Sequence, residues 1–240
     1  MKQMSSFPAP RRRLQPRELR AVHEAMSMYA QGWFPMADEA GDVDWYRPHM
    51  RAIVPIDERL HVSRSLQRTI RRGRFVVSTD LCFEHVIREC AAVSRSGEGG
   101  AWLSQDIIQL FGLFHAAGFA HSVEVWAADE HGSERVPVGG IYGVSVGRVF
   151  CAESMYCRPE LGGTDASKVA LIRLASLVKS LGYEALDAQI LNPHTAQFGT
   201  YEIPDETYCG LLKQWASVPA LPWPEPGPLD MRSILPWRGE

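Results

Sequence analysis

The sequence predicts a mixed α/β (α+β) fold, and three observations carry that expectation. Hydrophobic residues make up 45% and charged residues 22% of the 240, the balance of a globular chain and not of a disordered one. Ser122-Val-Glu-Val-Trp126 alternates as a strand, and residues 136–146 and 148–157 pair naturally as a hairpin around Gly147. A long apolar helix (166–181) and another strand (183–191) follow, the order of a sheet crossed by a helix.

The remaining elements follow from local signals. Residues 1–16 are rich in Pro, Arg and Ser and form an arm. Leu19, Val22, Ala25, Met26 and Tyr29 stand at helical spacing between Pro16 and Gln31, and Gly32 ends that helix. An aromatic turn (32–36) and an acidic loop (38–44) lead to Trp45 and Tyr46. Residues 63–72 form a helix capped by Ser63 or Ser65, packed through Leu66 and Ile70 and stopped at Gly73. A strand (75–79), a helix (81–93), a flexible loop (94–100) and a helix from the Ser104 cap to Gly118 complete the first half. Asp165 is the expected cap of the long helix, which Gly182 closes. The tail from Ser217 has six prolines and reads as an irregular extension anchored by Trp223 and Trp237.

Composition excludes several classes. Net charge is −3, so the chain is not a polycation, but residues 1–75 hold 14 basic and 8 acidic residues while the rest hold 11 and 20. That asymmetry points to an anion-binding N-terminal face. No apolar run of membrane-spanning length occurs, and the basic start of the chain lacks the apolar core of a signal peptide. Five cysteines without a C-x-x-C pair imply free thiols in a reducing cytoplasm, and the scattered histidines argue against a metal site.

Three groups of residues stand out. Asp187 and Gln189 share a face of the 183–191 strand by period-two alternation, where a carboxylate is costly to bury without a partner. An edge strand with one polar face would give the same pattern. Glu153 lies inside an apolar strand, on the face expected for Cys151 and Met155, either ion-paired with an arginine or converging with Asp187 in a cleft for a cationic or amine substrate. Arg64, Arg68, Arg71 and Arg72 form one face of the 63–72 helix, with no acidic residue from 59 to 74; this is a phosphate-binding face or a solvated one. The loop 158–165 has neither the G-x-x-x-x-G-K-[ST] order nor the pyrophosphate cradle of acyl-CoA enzymes.

Together the motifs resemble the bacterial leucyl/phenylalanyl-tRNA–protein transferases. The resemblance rests on Tyr29-Ala-Gln-Gly-Trp-Phe-Pro35, Trp45-Tyr-Arg-Pro-His-Met-Arg-Ala52, Val62-Ser-Arg-Ser-Leu66 and Ala101-Trp-Leu103. It continues through Ala120-His-Ser-Val-Glu-Val-Trp126, Val138-Gly-Gly-Ile-Tyr-Gly143, Glu153-Ser-Met155, Leu186-Asp-Ala-Gln-Ile-Leu191 and Glu202-Ile-Pro204, in family order. It implies a small N-terminal domain (17–75) after the arm (1–16), a GNAT-like acyltransferase domain (76–216) with a central mixed sheet, and a Pro-rich C-terminal extension (217–240). It implies an enzyme that moves Leu or Phe, and sometimes Met, from aminoacyl-tRNA to proteins with N-terminal Arg or Lys, marking them for degradation. It implies no coenzyme and no metal.

By resemblance, Asp187, Gln189 and Glu153 are the catalytic residues. Ile141, Met155 and Leu186 form the pocket for the aminoacyl side chain, Ser154 lies beside it, Trp102 meets the tRNA end, and Tyr29 comes from the N-terminal domain. The arginine face would then hold the acceptor stem. The residues alone leave two alternatives open: a GNAT-like N-acyltransferase with another donor, and a non-catalytic tRNA- or degron-binding relative.

Overall fold

A computed structural model describes residues 13–37, 42–92, 104–127 and 136–230. The arm up to residue 12, the loop 94–100, Trp102 and Trp237 lie outside the described residues.

Helix α1 (Pro16–Tyr29) starts with proline at its first position, and the Gln15 amide donates to the Glu18 carboxylate at 2.8 Å. Its apolar stripe buries Val22, Ala25 and Tyr29. The expected aromatic turn is instead a strand, β1 (Phe34–Ala37), paired antiparallel with β2 (Val43–Tyr46). Then follow β3 (Met50–Val54), α2 (Arg64–Arg71), β4 (Phe75–Thr79), α3 (Phe83–Ala92) and α4 (Gln105–Ala117). The Ser63 and Ser104 hydroxyls accept from the amides three residues on, at 3.3 and 3.4 Å, capping α2 and α4. The second half runs β5 (Ala120–Ala127), β6 (Pro137–Val146), β7 (Val149–Cys157), α5 (Ala166–Ser180), β8 (Ala185–Asp187), α6 (Pro193–Ala196), β9 (Tyr201–Pro204), α7 (Asp205–Trp215) and β10 (Gly227–Leu229).

One eight-stranded sheet has the order β10-β4-β5-β6-β7-β8-β3-β9. Every neighbouring pair is antiparallel except β7 and β8, which α5 connects as a crossover. Strand β3, whose residues fall within the span 17–75, sits inside this sheet between β8 and β9. Buried side chains of α1, α3, α4 and α7 pack on one face; α5 and α2 pack on the other with Val54, Val123 and Leu186.

Three further local expectations fail, the first two for tertiary reasons. The strand predicted over 183–191 ends at Asp187, and Gln189 turns to a left-handed backbone with φ of 55°. The two therefore do not share a strand face. Ladder pairing of β6 with β7 slips between Tyr142–Ser154 and Gly143–Ala152, so Glu153 is the extra residue of a bulge. Beyond it the alternation flips: Cys151 packs with the α1/α3/α4 side, whereas Met155 packs with the α5 side. Gly143 makes the bulge feasible, because a Cβ there would lie 2.2 Å from the Cys151 carbonyl oxygen. Asp165 precedes α5 at φ of 70° and makes no side-chain cap; it pairs with Lys168 at 2.8 Å instead.

Candidate active site

Strands β7 and β8 pair in parallel only from Val149–Ala185 to Cys151–Asp187. Beyond that point β7 runs on to Cys157 while the chain after β8 turns away, so the strands part. Among the described residues no strand pairs with the exposed edge of β7 from Ala152 onward. Unpaired main-chain donors and acceptors line such an opening and offer hydrogen bonds to an extended ligand.

Glu153 projects from the bulge at this opening. Tyr29 donates its hydroxyl to Glu153 Oε1 at 2.9 Å, and Gln189 Nε2 donates to the same oxygen at 3.3 Å. Burial pushes the Glu153 carboxyl up to about 8, with the Asp187 charge adding to the rise and the Tyr29 bond opposing it. Burial, reinforced by Glu153, raises Tyr29 well above its ordinary range, so it stays a donor.

Asp187 lies one layer deeper, 0% exposed. Its Oδ1 accepts from Arg51 Nε at 2.9 Å and from the Gln189 amide at 2.8 Å. Its Oδ2 accepts from Arg51 Nη2 at 2.6 Å and from the Tyr208 hydroxyl at 2.8 Å, with Cys151 Sγ at 3.6 Å. The carboxylate is thus enclosed by donors from β3, α7, β7 and its own following turn. Arg51, 1% exposed, lies over the rings of Tyr208 and Phe34, 4.5 and 5.2 Å from their centroids, and donates Nη1 to the Gly32 carbonyl at 2.8 Å. Gly32 presents that carbonyl from a left-handed turn (φ 88°) that L side chains rarely adopt.

The sequence reading singled out Tyr29, Glu153, Asp187 and Gln189, and the fold brings these four into one hydrogen-bonded chain. It missed Arg51 and Tyr208. A signal for Arg51 was present: a cation within the apolar run Met50-Arg-Ala-Ile-Val54 needs a buried anion as much as Asp187 needs a cation. Tyr208 carries no such local mark.

Ile141, Met155 and Leu186 belong to the apolar cluster beneath α5, on the face of the sheet opposite Asp187. Ile141 faces Met155 across the β6–β7 ladder; Ile141 and Leu186 are closed to solvent and Met155 is partly open. Ser154 is buried opposite Tyr142. Arg64, Arg68 and Arg71 on α2 and Arg72 just after it are all exposed, and among the described residues none pairs with a carboxylate.

The sequence profile of the leucyl/phenylalanyl-tRNA protein transferase family matches residues 53–213, and that of its N-terminal domain matches 26–49. The chain belongs to this family. It is an aminoacyltransferase. Curated relatives named leucyl/phenylalanyl-tRNA–protein transferase include that of Herpetosiphon aurantiacus, 46% identical over 77% of this chain and 88% of the relative. That of Akkermansia muciniphila is 40% identical over 79% and 92%, and that of Chlorobaculum parvum 43% over 78% and 91%. The crystal structure of FemX superposes with a TM-score of 0.50, covering 78% of this chain and 70% of that one at 12% identity, a likeness of fold alone. The architecture is the mixed α/β one that the sequence predicts, with a large central mixed sheet. No described helix is long and apolar enough to cross a membrane.

Proposed function

We propose that this chain transfers Leu or Phe from aminoacyl-tRNA to the α-amine of an acceptor protein. The observation that carries this reading is the convergence of Tyr29, Glu153 and Gln189 where β7 and β8 part. The names of the relatives supply the donor class. The finer parts of the proposal are Met as a third donor, acceptors beginning with Arg or Lys, action in the cytoplasm, and a product that serves as a degradation signal.

The reaction is aminolysis of an ester. The acceptor nitrogen attacks the aminoacyl carbonyl carbon, the C–N bond forms, the bond to the ribose 3′-oxygen breaks, and the amine's proton ends on the departing oxygen. Such a reaction gains most from alignment of amine and ester. An α-amine has an ordinary pKa of about 7.7–8.0. Glu153, at about 8, is matched to it. Ammonium beside carboxylate and amine beside carboxylic acid then lie close in energy, so the nucleophilic amine is available without a strong base. Tyr29 and Gln189 both donate to Glu153 Oε1 and fix the carboxylate, which leaves Oε2 to receive the proton. Asp187, whose oxygens are taken by protein donors, positions Gln189 and does not itself meet the substrate.

In this reading the ester lies in the plane of the opened sheet. The donor side chain points to Ile141, Met155 and Leu186 on the α5 side, and the acceptor amine to Glu153 on the Tyr29 side. Ser154 and Trp102 contact the aminoacyl adenosine. The arginines of α2 hold the acceptor stem through phosphates, without reading sequence.

The test is incubation of the protein with labelled Leu-, Phe- or Met-tRNA and peptides that differ only at the N-terminal residue. Label should move to Arg- and Lys-initiated peptides. No transfer from any aminoacyl-tRNA, or acylation of the same peptides from an acyl-CoA instead, overturns the proposal.

A further inference from the structure

We propose that Arg51 and Tyr208 are positioning residues of the transfer reaction, acting through Asp187 on the backbone of Gln189. The proposal rests on the transferase reading above.

The argument starts from Gln189. A left-handed backbone is uncommon in a residue other than glycine, and it persists only where the surroundings impose it. Three contacts impose it here: the Ile190 amide donates to the Ala188 carbonyl at 2.6 Å, the Gln189 carbonyl accepts from the Ala52 amide at 3.1 Å, and the Gln189 amide donates to Asp187 Oδ1. That acceptor oxygen stays in place only if the Asp187 carboxylate cannot rotate. Two groups stop its rotation. The Arg51 fork engages both oxygens, and the Tyr208 hydroxyl holds Oδ2 from α7. Burial, then the neighbouring Asp187 charge, keeps Tyr208 protonated and therefore a donor. With its amide held, Gln189 directs Nε2 to Glu153.

Arg51 also reaches the other end of the chain of bonds. Its Nη1 holds the Gly32 carbonyl in the turn just after α1, the helix whose last residue, Tyr29, donates to Glu153. One guanidinium thus sets both groups that approach Glu153, one through Asp187 and one through the end of α1. The stacking of Phe34 and Tyr208 on the guanidinium fixes its plane and with it both directions.

Arg51→Ala would leave Asp187 charged, buried and unpaired, so the test uses milder changes. Tyr208→Phe keeps the ring against Arg51 and removes only the hydroxyl. With saturating Leu-tRNA and an Arg-initiated peptide, Tyr208→Phe should lower kcat by about tenfold or more, with KM for Leu-tRNA within about twofold. The deciding readout is a double-mutant cycle with Gln189→Ala. If Tyr208 acts through Gln189, adding Tyr208→Phe to Gln189→Ala should cost less than about threefold further in kcat. Arg51→Lys, which keeps the charge but not the fork, is put through the same cycle, so the inference does not hang on the folding of one variant. Effects that multiply in full in both cycles, or an unchanged kcat in Tyr208→Phe, overturn it. Failure of the unaltered protein to transfer Leu to any peptide would instead overturn the transferase reading itself.

Discussion

Replacing Asp187 by Asn separates a sealed, positioning carboxylate from a reacting one. The substitution changes almost no volume but removes the negative charge beside Arg51, which is 1% exposed and, among the described residues, has no other anion within hydrogen-bonding distance. An amide can accept on one oxygen only. Its NH2 must face either Arg51 Nε and the Gln189 amide, or Arg51 Nη2, the Tyr208 hydroxyl and Cys151 Sγ. Donor meets donor in both orientations. Breaking a buried ion pair by removing one partner costs about 3–5 kcal/mol. At about 2–4 °C per kcal/mol for a chain of this size, Tm should fall by roughly 6–20 °C. Transfer should fall as well, because Gln189 loses its anchor. The measurements are thermal denaturation by circular dichroism and single-turnover transfer below the lowered Tm. A companion variant, Arg51→Met with Asp187→Leu, removes both charges; it should recover most of the stability but not the transfer. Lost transfer with unchanged Tm in Asp187→Asn would refute the reasoning, since it would mean that the carboxylate faces the substrate and holds nothing together.

Changing Arg64, Arg68 and Arg71 together to Ala should weaken binding of any tRNA alike and make the slope of log affinity against log salt shallower, by roughly 0.7–0.9 per lost phosphate contact; an unchanged slope would mark α2 as a merely solvated face. Met155→Ala should raise the share of aromatic donors relative to Leu in a competition assay, because it widens the partly open side of the α5-facing cluster; equal loss for all donors would make Met155 core. Glu124 is fully buried between Ser78 and Ser122, and burial pushes its carboxyl up to about 7, against an ordinary 4.5, with Asp80 adding to the rise. Folded protein therefore keeps a proton that unfolded protein releases between about pH 4.5 and 7. The stability this group lends is complete below about 4.5 and declines as pH rises through 7, by about 3 kcal/mol in all. Glu124→Gln should flatten that part of the denaturation-midpoint profile, and an unchanged profile would show that Glu124 is ionised throughout.

Much of this molecule was legible where the signal is local. Ser63 and Ser104 cap the helices they were expected to cap, since a hydroxyl bonded three residues along the chain needs nothing from elsewhere. Gly147 turns the central hairpin because a two-residue turn between paired strands needs a left-handed backbone, and Gly147 supplies it at φ of 56°. Family membership was readable from motifs in order, and with it the four residues of the polar chain. The strand predicted to run through Gln189 was not legible as broken. Its alternation of polar and apolar residues is that of a strand, and it bends at 189 because the Asp187 carboxylate, held from three other elements, takes the Gln189 amide while the Ala52 amide of β3 takes the Gln189 carbonyl.

The sequence by itself determined the order of elements from α2 to β8, the mixed α/β class, and the presence of charges too expensive to bury alone: Asp187, Glu153 and, unnoticed, Arg51. Tertiary structure decided which charge neutralises which. Arg51 lies 136 residues from Asp187, and Tyr29 lies 124 from Glu153. Pairing across such separations follows from sheet order and from the bulge at Glu153, neither of which has a local sequence cause. Buried charge is penalised in proportion to its isolation, so the fold had to supply each partner. Sequence shows that the demand exists, and only the packed sheet shows that Asp187 is sealed while Glu153 is left at the opening.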